Sequence, residues 1–199
     1  MIRVALVDDH PALVAGMTTI LRLEPGIVPV GSAGDLAAAE HLVFSTHPDL
    51  VLLDYHLPRG DGLQFCHRLK TDAPAPKVLM FSAYADARLG LAARAAGADG
   101  LLSKGSPARE LFEVIRRIAR GETVLPPLTP ELLNEAANRL EPEDAPLLSL
   151  LVNNTVPRDI AATLRLPPAE VDTKVRRILS RLRVESPSPS APGLESVTS

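Results

Sequence analysis

A doubly wound α/β sheet followed by a small all-helical unit is the architecture this 199-residue sequence predicts. Three observations lead there. Short apolar runs alternate with helix-period segments through residue 120. Four of those runs end at residues that carry chemistry. Beyond residue 140 only helical periods appear. Strand–helix alternation of this kind builds a parallel sheet with helices on both faces.

The first strand is expected at Ile2–Val7, an apolar run closed by Asp8 and Asp9. Pro11–Leu23 has helical spacing, and Val28–Val30 reads as a short second strand. Leu36–Phe44 is the second helix. Leu50–Leu53 is a third strand that runs into Asp54, and Leu63–Lys70 returns as a helix. Lys77–Phe81 is a fourth strand ending at Ser82, followed by the helix Ala87–Ala95. Gly100–Leu102 is the fifth strand, just before Lys104. The helix Ala108–Arg120 follows; Pro107 suits its first turn and Gly121 stops it. Residues 122–139 carry Pro126, Pro127 and Pro130 and predict a linker with a short helix after Thr129-Pro130. Three further helices are expected at Pro142–Val152, Pro157–Leu164 and Pro168–Arg183. The Pro/Ser-rich residues 185–199 lack apolar spacing and predict a disordered tail.

In an open parallel sheet, functional groups collect beyond the carboxyl ends of the strands. Asp8, Asp9, Asp54, Ser82 and Lys104 would therefore share one shallow cleft. Taken singly, each aspartate reads as a turn residue or helix cap. Residue type, spacing and strand position agree for all five, which a set of turn residues does not explain. Crowded carboxylates repel unless a cation neutralises them, and an all-oxygen site suits Mg²⁺.

With VDDHP, LLDYHLPRGDG, FSA and GLLSKGSPAREL in place, residues 1–121 resemble the receiver domain of a two-component response regulator. The resemblance implies a flavodoxin-like, five-stranded sheet of order 2-1-3-4-5. It implies that Asp54 accepts a phosphoryl group from a sensor histidine kinase. It also implies a Mg²⁺ ion held by Asp9 and Asp54, with the His56 backbone carbonyl, while Asp8 acts mostly through water. Lys104 would pair with the phosphoryl oxygens and Ser82 would turn toward them. His56 and Tyr84 would stand at positions that tune phosphoryl lifetime. Leu101 stands where receivers commonly carry a switch aromatic, so coupling through Ser82 is expected to differ.

Residues 140–184 resemble a LuxR-type helix-turn-helix, as in NarL/FixJ response regulators. The pattern is Glu143, LLSLL, DIAATLRL, EV and VRRILSRLRV. Val171, Val175, Ile178, Leu179 and Leu182 form an apolar stripe at helical spacing. Thr173, Lys174, Arg176, Arg177, Ser180 and Arg181 lie on the opposite face, and a basic helix face suits the major groove of double-stranded DNA. Asp172, Lys174, Pro167-Pro168 and Val156-Pro157 depart from that pattern. A carboxylate such as Asp172 opposes phosphate binding. A helical output that binds protein, or signals without phosphorylation, therefore stays open beside the DNA reading.

Composition narrows the remaining classes. Hydrophobic residues make up 46% of the chain, enough for a real core. No apolar run approaches the roughly 18 residues that span a bilayer, and no signal peptide pattern opens the chain. One cysteine, Cys66, leaves no internal disulfide. A cytoplasmic regulator that dimerises on activation and makes no membrane contact is the expectation. The net charge of −3 argues against broad polyanion binding, and an aromatic content of 3% against a single-strand stacking platform. The other histidines, His10, His41, His47 and His67, are assigned surface or helix-end roles, and no dinucleotide or P-loop fingerprint occurs.

Overall fold

The computed structural model describes residues 1–57, 60–71, 74–153, 155 and 157–184. The expected tail, 185–199, and Val156 lie outside the described residues.

Five parallel strands form one sheet of order β2-β1-β3-β4-β5: β1 (Ile2–Val7), β2 (Ile27–Ala33), β3 (Leu50–Asp54), β4 (Lys77–Ser82) and β5 (Gly100–Ser103). Side chains alternate between its two faces, as the period of a strand requires. Ala5, Val7, Val51, Leu53, Val78, Met80 and Leu101 belong to one core, while Val4, Leu6, Leu50, Leu52, Leu79, Phe81 and Leu102 belong to the other. Helices α1 (Pro11–Leu23) and α5 (Ala108–Ala119) close the second face through Met17, Leu21, Leu111, Ile115 and Ile118. Helices α2 (Leu36–Thr46), α3 (Gly62–Thr71) and α4 (Ala87–Ala95) close the first. Cys66 on α3 is fully buried, and burial pushes its thiol up to about 12, as expected of an inert core cysteine.

The first strand matches its apolar run, and the other four are longer than the runs that predict them. Asp54, Ser82 and Ser103 keep their backbones in the ladder although their side chains are polar. The edge strand β2 extends to Ala33 past a register shift opposite Val4/Ala5, where Pro29 sits in the strand. A proline, lacking an N–H, is tolerated on an edge.

After α5, Val124 adds a single parallel bridge to Gly100, so the segment hugs the sheet edge. Helix α6 (Pro130–Asn138) begins at Thr129, whose hydroxyl accepts from Leu132 N at 3.2 Å. The single helix expected over Pro142–Val152 is divided into a 3₁₀ turn, Pro142–Asp144, and helix α7 (Ala145–Val152). Pro146 is the cause: an α-helix running through it would press its ring on the carbonyl four residues back. Helices α8 (Pro157–Leu164) and α9 (Pro168–Arg181) follow, α9 stopping two residues short of Arg183 with Leu182 as its cap.

The helical segment is not tethered loosely. Helices α6 and α7 pack on α4, and α9 packs on α3. The α9 stripe Val171, Val175, Ile178, Leu179 and Leu182 is buried in the same core cluster as the α3/α4 face. Gln64 Nε2 donates to Arg176 O at 2.9 Å. The Tyr55 hydroxyl donates to Val184 O at 3.0 Å and accepts from Val184 N at 2.9 Å.

Candidate functional site

The carboxyl edge of the sheet carries the site. Asp8 follows β1, and its N–H continues the ladder to Ala33 O at 3.0 Å. Asp54 is the last residue of β3 and pairs with Phe81. Ser82 is the last residue of β4, and its carbonyl accepts from Lys104 N at 2.8 Å, which fixes the lysine backbone beside it. The side chains then converge. Lys104 Nζ lies 2.7 Å from Asp8 Oδ2 and 2.9 Å from Asp54 Oδ2. Asp54 Oδ1 accepts from His56 N at 3.2 Å, and Asp8 Oδ1 from His10 N at 2.9 Å. Asp8, Asp54 and Ser82 are buried, while Asp9 is partly open.

The electrostatics are strained in one direction. Three carboxylates face one ammonium, a net charge of about −2 that matches a divalent cation. Burial pushes the Asp54 carboxyl up; the Lys104 ammonium pulls against this, and the Asp8 charge adds to it. Burial works against the Lys104 charge too, yet its hydrogen bond to Asp8 and the two nearby carboxylates leave it raised. Lys104 meets Asp54 Oδ2 as an ion pair. Asp54 Oδ2 and Asp9 Oδ1 are buried oxygens without a hydrogen-bond partner. Ligand atoms of Asp8, Asp9, His10 and Asp54 all lie within 4.8 Å of one another. Hard oxygen donors, orphaned lone pairs and the charge balance all fit a divalent cation.

The other residues singled out in the sequence fall around this core. The Ser82 hydroxyl accepts from Tyr84 N at 3.2 Å, while the Tyr84 side chain itself is 47% exposed. The His56 ring stands edge-on to Tyr55, with centroids 4.4 Å apart. Leu101 is buried among aliphatic neighbours on the first face of the sheet.

On α9, Thr173 is exposed and its hydroxyl donates to Ala169 O. The basic residues are already engaged by acids. Arg177 donates to Asp144 at 2.6 and 3.0 Å and to Glu143 at 3.0 Å, which holds the Glu143 carboxyl below its usual range. Lys174 lies 3.5 Å from Glu143, and Arg181 2.7 Å from Glu141. Arg176 pairs with Asp172 one turn earlier at 2.9 Å.

Several contacts have no sequence signal. The sequence singles out Glu143, but the structure buries Asp144 completely and leaves Glu143 at the rim. His67, expected at the surface or a helix end, is buried on α3, and its Nε2 lies 3.0 Å from Asp172 Oδ1 across the α3/α9 contact. His10 keeps the expected helix-end place as N-cap of α1, 64% exposed, and its ring also reaches Asp8 and Asp9.

His67 yields a pH prediction. Burial pulls its pKa below the usual histidine value, outweighing Asp172, which pulls it up; Arg176 adds to the lowering. Below about pH 6.5 the unfolded chain then binds a proton that the folded chain resists. The His67 contribution is complete above that pH and fades as pH falls toward the depressed folded value. Thermal melts from pH 7.5 to 5.5 should show a falling midpoint, with a shallower fall for His67→Gln.

Comparison with known proteins places the chain. Residues 4–116 match the response regulator receiver domain. The chain is 33% identical over 193 residues to the probable transcriptional regulatory protein NarL of Mycobacterium tuberculosis, covering 92% of this chain and 88% of that protein. It is 30% identical over 195 residues to the DNA-binding transcriptional activator DevR/DosR of the same species, covering 93% and 90%. The crystal structure of the response regulator ChrA of a heme-sensing two-component system superposes with a TM-score of 0.53 at 31% identity, covering 93% of this chain and 92% of that one. The chain therefore belongs to the NarL-type response regulators, with its receiver domain on the five-stranded sheet.

Proposed function

We propose that this response regulator accepts a phosphoryl group on Asp54 and converts it into sequence-specific binding of double-stranded DNA. The proposed division is a receiver at residues 1–121, a linker at 122–139, a helix-turn-helix unit at 140–184 and a tail at 185–199. The observation that carries the reading is the buried ion triad. Lys104 bridges Asp8 and Asp54, and Asp54 Oδ2 keeps a lone pair without a hydrogen bond.

Both partners in phosphoryl transfer are anionic, so the site must supply positive charge and alignment. Asp9, Asp54 and the His56 carbonyl would hold Mg²⁺, with Asp8 behind it; bound there, the ion neutralises the carboxylates and the incoming phosphoryl oxygens. The Asp54 carboxylate oxygen bonds to phosphorus as the P–N bond to a sensor kinase histidine breaks. Lys104 takes up the phosphoryl oxygens, and the Ser82 hydroxyl turns toward them. The protein catalyses its own phosphoryl transfer and hydrolysis and no other reaction, with His56 and Tyr84 at the mouth where water enters.

The switch follows from the contacts around α9. Tyr55, adjacent to Asp54, holds the Val184 backbone through two hydrogen bonds. His67 and Gln64 hold Asp172 and the Arg176 carbonyl. In this arrangement the output helix is docked on the receiver. Phosphorylation would favour a second state by a few kcal/mol, in which α9 is free and two copies read two half-sites. Thr173, Lys174, Arg176, Arg177 and Arg181 would then face DNA. Among the described residues no helix is long and apolar enough to cross a membrane, which fits the proposed cytoplasmic role.

The acid partners of Lys174, Arg177 and Arg181 favour one second reading, an output unit that binds protein instead. A duplex-DNA mobility shift tests both. The DNA reading expects binding to rise with a small-molecule phosphodonor and Mg²⁺, to fall with salt, and to be lost in Lys174→Ala/Arg177→Ala. Binding unchanged in that double variant would remove α9 as the reader and favour the protein-binding output.

A further inference from the structure

The geometry points to His10 as an additional protein ligand at the acidic pocket, one that biases the site toward imidazole-accepting transition metals such as Co²⁺ and Ni²⁺ over Mg²⁺. This rests on the reading of the pocket as a divalent-cation site.

His10 follows the acid pair and is the N-cap residue of α1, in an extended backbone conformation. Its own N–H is committed to Asp8 Oδ1 at 2.9 Å, which ties the residue to the pocket. The ring is committed in the same direction. Nδ1 lies 3.0 Å from Asp8 Oδ1, to which its N–H donates, and 3.0 Å from Asp9 Oδ1; a bound ion would take the place of that proton. Neighbouring ligands of an octahedral ion with bonds of about 2.1 Å stand about 3.0 Å apart. Nδ1 is thus already at the spacing of a neighbouring coordination position relative to both carboxylates. One of those oxygens, Asp9 Oδ1, is buried without a hydrogen-bond partner, as is Asp54 Oδ2 across the pocket. The donor atoms of all four residues fall within 4.8 Å of one another, so a small closure of the group brings them onto one ion.

The donor set decides the preference. Mg²⁺ is a hard ion that takes oxygen ligands and keeps several waters. An imidazole nitrogen suits first-row transition metals, whose affinity for mixed nitrogen–oxygen sites rises from Mn²⁺ through Co²⁺ to Cu²⁺. Carboxylates alone separate these ions weakly; a nitrogen donor widens the gap from Mg²⁺. The His10 side chain is 64% exposed, so replacing it leaves the core untouched.

Calorimetric titration of the full chain with Co²⁺ and with Mg²⁺, in wild type, His10→Ala and Asp54→Asn, tests the proposal, with the visible absorption of bound Co²⁺ as a second readout. His10→Ala is expected to weaken Co²⁺ by about tenfold or more, to leave Mg²⁺ within about threefold, and to change the Co²⁺ spectrum. An equal loss for both ions, or an unchanged Co²⁺ affinity and spectrum, overturns the role of His10 while leaving the pocket intact. Failure of wild type to bind either ion, or Mg²⁺ binding indifferent to Asp54→Asn, overturns the pocket as a cation site and this inference with it.

Discussion

Replacing Lys104 by methionine will slow phosphoryl transfer to Asp54 by about 100- to 1,000-fold and will tighten Mg²⁺ binding. The two effects have one origin. Lys104 Nζ lies 2.7 Å from Asp8 and 2.9 Å from Asp54, the only basic side chain described within 4 Å of both. In the proposed transition state it meets charge spread over the phosphoryl oxygens, and a preorganised donor lost from such a site costs about two to three decades in rate. In the resting state the same ammonium competes with a cation for the same carboxylates. Without it, Asp8 and Asp54 face each other buried and uncompensated, a loss of about 3 kcal/mol in metal-free buffer. Added Mg²⁺ should restore much of that stability. Denaturant melts with and without Mg²⁺, paired with a phosphorylation time course, read both effects. A variant as stable as wild type without metal, and as fast, would show that Lys104 does not balance the pocket.

Gly62→Val is the second large effect. Gly62 opens α3 where that helix comes closest to the end of β3. A Cβ there would lie 2.6 Å from Asp54 O, 2.9 Å from Tyr55 O and 3.0 Å from Tyr55 Cα. The obstacle is backbone on the phosphoacceptor loop itself, so relief requires α3 or the Asp54–His56 segment to move. Overpacking of this kind costs about 1–3 kcal/mol, with the bulkier valine expected at the upper end. The displaced segment carries Asp54, the His56 N–H that binds it and the Tyr55 hydroxyl that holds Val184. Stability, Mg²⁺ affinity and the docking of α9 should fall together. Wild-type melting with wild-type Mg²⁺ affinity would show that the loop tolerates the shift.

The pocket is legible in the sequence because each of its parts ends a strand. An apolar run names the strand, parallel topology puts its carboxyl end on the common edge, and Asp8, Asp54, Ser82 and Lys104 follow from position alone. Contacts between the sheet unit and the C-terminal helices have no such rule. His67 and Asp172 are separated by 105 residues, and Tyr55 and Val184 by 129. Nothing periodic links them. Asp172 reads in the sequence as a flaw in a DNA-facing helix; in the fold it faces His67 on α3, and Arg176 one turn along α9 pairs with its charge. Asp144 was hidden by one residue of register. Pro146 breaks the expected helix, and the 3₁₀ turn before it buries Asp144 under Arg177 while Glu143 meets the same guanidinium from the exposed rim. His10 was hidden by convention, since a lone histidine after an acid pair carries no ligand spacing of its own.

Mass-spectrometric mapping of the chain after treatment with a small-molecule phosphodonor and Mg²⁺ tests the central claim most directly. The account predicts a single phosphoryl adduct on the peptide containing Asp54, absent without Mg²⁺ and absent in Asp54→Asn. An adduct that persists in Asp54→Asn, or that forms without a divalent cation, would contradict it.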